Sequence, residues 1–197
     1  MTIFSEGVEK MRETREMIIN AVMRLALKDR HQEQLTLTEI ALEAGISRQA
    51  IYQKHFKSVT EIFEYIHLTI DEQIWQVFEQ KVLTLPPNKL YQGIAEQILP
   101  LIYQHREWLK VLYGTNIDLK WRKYLYEKYS TAAIMYLKNQ PGLNSPLSQE
   151  KTVKILTDHI IAIISAWLSD EVPLHPTQFS QVFLEMMVRS PESFLRG

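Results

Sequence analysis

The chain of 197 residues contains no cysteine. That excludes disulfides, thiolate nucleophiles, thiol redox sensing and cysteine-based zinc sites together, and it suits a reducing compartment. Glycine is scarce, at six residues, and the prolines gather at a few joints. Long uninterrupted helices are therefore the natural reading, and strand alternation is nowhere convincing. An excess of one charge is missing too: 22 basic residues against 23 acids give a formal net charge of −1. Nucleic acid cannot be held by bulk charge, so any such contact must be local, which suffices because affinity follows the phosphates neutralised at the contact. The longest apolar cluster, Ile160 to Leu168, is far short of the roughly 20 residues needed to span a bilayer. The start, MTIFSEGVEKMRE, lacks the basic-then-apolar pattern of a signal peptide. A soluble, cytoplasmic protein with no membrane partner is expected.

The parts of a catalytic site are also missing. His31, His55, His67, His105, His159 and His175 are too scattered for a metal pair at helical spacing. There is no HExxH, no glycine-rich phosphate loop and no nucleophile elbow. His67 and Asp71 lie one turn apart, and pairs of that kind are usually solvated surface. No metal, no cofactor and no enzymatic activity are expected.

What is present is concentrated in Thr36 to Phe56, TLTEIALEAGISRQAIYQKHF. Thr36 followed by Glu39 is a capping box, so a helix starts at about Leu37, with Leu35 and Ile40 placed as a hydrophobic staple. Ile40, Ala41 and Ala44 share an apolar face. Gly45 can take positive φ without a Cβ penalty and ends the helix. Ser47 is a second N-cap, and Ile46 with Ile51 repeats the staple. The next helix begins at Arg48; Ala50 and Ile51 point inward, while Arg48, Gln49, Tyr52, Gln53, Lys54 and His55 fill the remaining surface. No acid occurs between Glu43 and Glu61. This is a helix-turn-helix pattern. In that motif the second helix lies in the major groove, where arginine and glutamine can contact guanine and adenine. The residues expected at DNA are Thr36, Thr38, Ser47, Arg48, Gln49, Tyr52, Gln53, Lys54, His55 and Lys57.

From about Arg12 to Ile66 the chain resembles the DNA-binding domain of the TetR family of bacterial transcriptional regulators. The resemblance rests on the amphipathic segment around Ile18, Ala21, Val22, Leu25 and Ala26, on TLTEIALEAGISRQAIY, and on HFKSVTEIF. It implies an all-α fold in which a three-helix head (1–57) is joined by a long helix to a helical regulatory and dimerisation body (58–197). It also implies a homodimer on a palindromic double-stranded operator, and effector release through the connecting helix. Two departures stand out. The family commonly places an aromatic three residues after the recognition-helix tyrosine, whereas Phe56 follows Tyr52 by four, as if one residue were inserted near Gln53 or Lys54. The family often has a phosphate-contacting lysine near the start of the connecting helix; here Val59 stands at that place, with Lys57 nearby.

Beyond the head, Ser58 with Glu61 opens a helix carrying Ile62, Phe63, Ile66, Ile70, Ile74, Val77 and Phe78 on one side. Pro86-Pro87-Asn88 introduces a segment from Lys89 to Tyr103 that Pro100 kinks or shortens. Helices are expected from Glu107 to Tyr113, Asp118 to Lys138, Gln149 to Ser169 and Thr177 to Val188, with a turn-rich loop from Asn139 to Leu147. The helix from Gln149 is apolar almost all round, which suggests that a second subunit covers it. Ile160, Ile164, Trp167, Leu168, Phe179, Val182, Phe183 and Met186 are the expected interface of a four-helix bundle; the other reading is a monomer with a central core helix. The segment AIISAWLSDEVPLHPTQF is similar to the C-terminal part of the TetR branch that includes dihydroxyacetone kinase regulators. Trp75, Phe78, Trp108, Tyr113, Trp121, Tyr124 and His159 are candidates to line an effector cavity, set against ordinary core packing. The reading is a transcriptional regulator, more a repressor than an activator; the alternative is a protein-binding coregulator on the same fold.

Overall fold

The structure is a computed structural model that describes residues 3–138, 140 and 144–195. Of the expected loop from Asn139 to Leu147, residues 139 and 141–143 lie outside the described residues. All regular elements among the described residues are helical. The α-helices are α1 (Ile3–Lys28), α2 (Leu37–Ala44), α3 (Arg48–Lys54), α4 (Val59–Val77), α5 (Leu90–Gly93), α6 (Leu99–Gln104), α7 (Arg106–Gly114), α8 (Lys120–Leu137), α9 (Gln149–Ser169) and α10 (Pro176–Val188). Two compact units are formed. One comprises Met1–Thr69 and Val111–Leu119, the other Ile70–Lys110 and Lys120–Gly197. The division falls inside α4 rather than at its start, and it returns a short stretch around the end of α7 to the first unit.

In the first unit α1 supplies the apolar stripe that its sequence period requires. Ile18, Ile19, Ala21, Val22 and Ala26 have no exposed surface, and α1 packs on α2, which packs on α3. Ile40 and Ile51 close the core from the two short helices, Phe56 closes it from the link after α3, and Ile62 and Ile66 close it from the first half of α4. The returning stretch is tied in at two points: the Asn116 N–H donates to the Arg30 carbonyl at 2.9 Å, and His67 pairs with Asp118, both buried.

The second unit is less regular. The expected single helix from Lys89 to Tyr103 is three pieces: a 3₁₀ turn at Pro87–Lys89, α5, and α6, with a π turn at Ile94–Ile98 between the last two. Pro100 explains the break. It donates no N–H and its ring clashes with the carbonyl four residues back, so the chain widens before it. A second π turn, Phe78–Val82, follows α4. Helix α9 has 21 residues and a mean hydropathy of 1.3, long and apolar enough to match a bilayer span by length and composition. Its inward face, Val153, Thr157, Ile161, Ile163, Ile164, Trp167 and Leu168, is buried within the unit, where α9 meets α8 and α10.

Candidate nucleic-acid interface

Each boundary of the helix-turn-helix is fixed by a nearby group. The Glu39 N–H donates to Thr36 Oγ1 at 3.2 Å and the Thr36 N–H donates to Glu39 Oε2 at 2.7 Å, a complete capping box. These bonds hold the Glu39 carboxyl below its usual range, the Thr36 side chain contributing first and its backbone second. At the other end of α2, Gly45 has φ +68°, the Gly45 N–H donates to the Leu42 carbonyl at 3.2 Å, and the Ile46 N–H donates to the Ala41 carbonyl at 3.1 Å. That pair of bonds is a Schellman stop, and it needs the left-handed backbone that glycine adopts freely. Ser47 Oγ then accepts from the Ala50 N–H at 3.0 Å and starts α3.

The cap geometry determines what α3 presents. Ile51 is fully buried, which turns Arg48, Gln49, Tyr52, Gln53 and Lys54 outward; all five are exposed, as are Thr36, Thr38, Ser47 and Lys57. Glu43 is the acid nearest this face in sequence, and it is neutralised from α1. Its carboxylate accepts from Lys28 Nζ at 2.5 Å and from Arg24 Nε at 2.7 Å, and these two cations, Lys28 first, hold it below the ordinary carboxylate range. The exposed face is thereby left with Arg48 and Lys54 as its cations and amide side chains between them.

His55 does not share this face. It is half-buried, Nδ1 is enclosed without a hydrogen-bond partner, and burial, followed by the nearby charges of Arg15 and Lys54, pushes its pKa down. The imidazole is therefore a neutral group at the end of α3 rather than a cation. Arg15 of α1 covers the Phe56 and Tyr65 rings, with Cζ 5.4 and 4.9 Å from their centroids.

The candidate effector residues divide. In the second unit an open groove of about 790 Å³ is lined by Trp75, Tyr124, Lys128, Met135 and Tyr136 among others. Trp75 and Tyr124 of the candidates line it. Phe78 is buried behind them, 6.0 Å from Trp75 and 5.0 Å from Tyr129, and Trp121 is buried and stacked on Tyr124 at 5.8 Å. Trp108 lies near His105 at 6.3 Å, Tyr113 belongs to the first unit, and His159 is exposed with Nε2 3.4 Å from the Met186 carbonyl; none of the three lines the groove. Sequence reasoning missed the group beside the groove. Asp71, 1% exposed, accepts from the Tyr124 hydroxyl at 2.8 Å, from the Tyr129 hydroxyl at 2.6 Å and from Lys128, whose ammonium lies 4.3 Å from the Trp75 centroid. Burial first, then the bond to Asp71, raises the Tyr124 pKa well above the phenolic range. Asp71 was readable as a helix-face acid; only the folded contact of α4 with α8 turns it inward.

No protein-family model matches the chain. The uncharacterized HTH-type transcriptional regulator YxbF of Bacillus subtilis (strain 168) is 22% identical over 190 residues, 95% of this chain and 48% of that protein. The chain thus spans about half the length of this curated relative. Among solved structures, a TetR transcriptional regulator from Streptococcus agalactiae 2603V superposes with a TM-score of 0.62 at 13% identity, covering 94% of this chain and 99% of that one. NalD of Pseudomonas aeruginosa, described as the secondary repressor of the MexAB-OprM multidrug efflux pump, superposes with the same TM-score at 20% identity, covering 89% and 96%. The fold is that of a TetR regulator.

The four-residue spacing from Tyr52 to Phe56 is accommodated after α3 rather than inside it. Helix α3 stops at Lys54, His55 takes φ −126° and ψ −63°, and the N–H groups of both His55 and Phe56 donate to the Ile51 carbonyl at 2.9 Å. The exposed turn of α3 keeps its helical spacing, and Phe56 still reaches the core at 1% exposed. The residues expected at a TetR-type dimer interface are placed unevenly. Ile164, Trp167, Leu168, Phe179 and Phe183 are buried within the single chain, with Trp167 stacked on Phe179 at 4.1 Å, whereas Ile160 and Met186 are half-buried and Val182 is exposed. The all-round apolar character of α9 is therefore largely accounted for by its own chain.

Proposed function

We propose that this protein is a DNA-binding transcriptional regulator that grips an imperfectly palindromic operator as a homodimer, represses, and is released by a small-molecule effector. The observation that carries the reading is the outer face of α3. Arg48, Gln49, Tyr52, Gln53 and Lys54 are all exposed on a helix capped at both ends, and the acid nearest to it in sequence before the turn, Glu43, is held by Lys28 and Arg24. A rigid, acid-free, amide-rich helix suits base edges, with arginine for guanine and glutamine for adenine. The name of the Bacillus subtilis relative and the description of NalD as a repressor support the direction. Dimerisation is supported by apolar side chains that the single chain leaves open on α9 and α10, Ile155, Val182 and Val188. The aromatic groove beside Asp71 is the place for an effector, and α4, which carries residues of both units, is the element such a ligand would bias.

The test is a titration of the purified protein against its own upstream region over a range of salt, with sedimentation to count subunits. Specific binding by a dimer, with a log K versus log[salt] slope of several units, supports the reading. One observation favours a second reading, a protein-binding coregulator: the Lys57 ammonium is occupied at the end of α3 and Val59 offers no cation. Absent or salt-insensitive binding supports that one.

A further inference from the structure

Helix α3 ends at Lys54 with the Tyr52 and Gln53 carbonyls left without their helical donors, and Lys57 fills the gap. In a continuing helix the Tyr52 carbonyl would accept from the Phe56 N–H and the Gln53 carbonyl from the Lys57 N–H. Here the Phe56 N–H turns to the Ile51 carbonyl at 2.9 Å, and the Lys57 N–H donates to Glu61 Oε2 at 2.5 Å. The Lys57 ammonium takes over both vacated acceptors, donating to the Tyr52 carbonyl at 2.6 Å and to the Gln53 carbonyl at 3.5 Å. It also lies 4.9 Å from the centroid of the Tyr52 ring. The backbone of Lys57 is anchored to the first turn of α4, where the Glu61 N–H donates to Ser58 Oγ at 3.1 Å. One residue thus ties the last turn of α3, its carbonyl dipole and its exposed aromatic to the first turn of α4. A cation at a helix C-terminus and over an aromatic face is stabilised by both. Two of the three N–H groups of this ammonium are thereby directed at carbonyls of the same chain.

We propose that Lys57 is a positioning residue for operator recognition, a clamp that sets the Tyr52 ring and the end of α3, in place of the phosphate contact expected near the start of α4. The proposal rests on the DNA-binding reading above. It predicts that Lys57 governs how well the operator is distinguished from other DNA, without counting among the phosphates neutralised.

The experiment compares wild type with Lys57→Met and Lys57→Arg in two measurements. The first is hydrogen exchange in the free protein. Lys57→Met speeds exchange of the amides from Ile51 to Phe56 and leaves those of α1 unchanged, while Lys57→Arg restores protection. The second is titration against operator and unrelated duplex DNA over a range of salt. Lys57→Met weakens operator binding by about tenfold, the scale of one lost cap plus one lost cation–π contact, with unrelated DNA bound as before and the salt slope unchanged; Lys57→Arg recovers most of it. A slope reduced by about one unit, with both duplexes weakened alike, identifies a phosphate contact and overturns the proposal. Unchanged exchange at the end of α3 overturns the clamp directly. If wild type shows no preference for any operator, the DNA reading fails, and exchange alone still decides whether the clamp exists.

Discussion

In the first unit the ends of the short helices are set by groups a few residues away: Thr36 with Glu39, Ser47 with Ala50, Gly45 with Leu42, Lys57 with Tyr52. In the second unit α9 and α10 are capped just as locally, by Ser148 and His175, but further ties reach across the chain. The Tyr136 hydroxyl donates to the Leu85 carbonyl, Ser180 Oγ to the Ala95 carbonyl at 3.1 Å, and Tyr124, Tyr129 and Lys128 converge on Asp71. The difference teaches where each unit should break. The first should be sensitive to small changes at caps and turns, the second to the loss of large buried side chains and of its buried carboxylate.

The largest expected effect lies in the second unit. Phe183 is fully buried, so Phe183→Ala costs about 3–5 kcal/mol of stability, read from chemical denaturation. A loss under 1 kcal/mol would mean that the side chain is not packed as the core requires. Next comes Gly45→Ala in the first unit. Nothing lies within 4 Å of the added Cβ, so its cost is the backbone alone, about 1–2 kcal/mol for a left-handed alanine. Thr36→Ala should cost about 1 kcal/mol by removing the N-cap of α2; both first-unit changes should appear as faster amide exchange in α2 and α3.

The smallest effect is in the acid limb of the stability curve. Glu43 has a lowered pKa in the folded chain, so its ion pairs with Lys28 and Arg24 contribute stability that is full above the ordinary carboxylate value and is lost as pH falls through the lower folded value. Glu43→Gln should flatten that part of the curve in a pH-dependent unfolding series and leave the profile near neutral pH parallel to wild type.

The same contrast explains what was readable in the amino-acid order. Thr36, Gly45 and Ser47 announce α2 and α3 because the capping chemistry is complete within a few residues, and the outward face of α3 follows once Ile51 is inside. Helices α8, α9 and α10 were legible from period and turn residues, α9 at its expected bounds and the other two within two residues of theirs. The π turns at 78–82 and 94–98 were not, since Pro100 signals a break but not how the chain relieves it. Asp71 was misjudged as surface because its donors, Tyr124, Lys128 and Tyr129, lie more than 50 residues away. The apolar girth of α9 suggested a second subunit; Trp167, Phe179 and Phe183 show how much of it the chain covers itself. The role of Lys57 was out of reach as well, because a lysine beside a recognition helix reads as a phosphate ligand until its ammonium is found on two carbonyls.

The central claim is that the exposed side chains of α3 meet DNA. Its most direct measurement is the operator affinity of Arg48→Ala and Tyr52→Ala, each checked for unchanged helicity and subunit number. The account predicts loss of specific binding in both with the fold and assembly intact; either variant retaining the operator at wild-type concentration would contradict it.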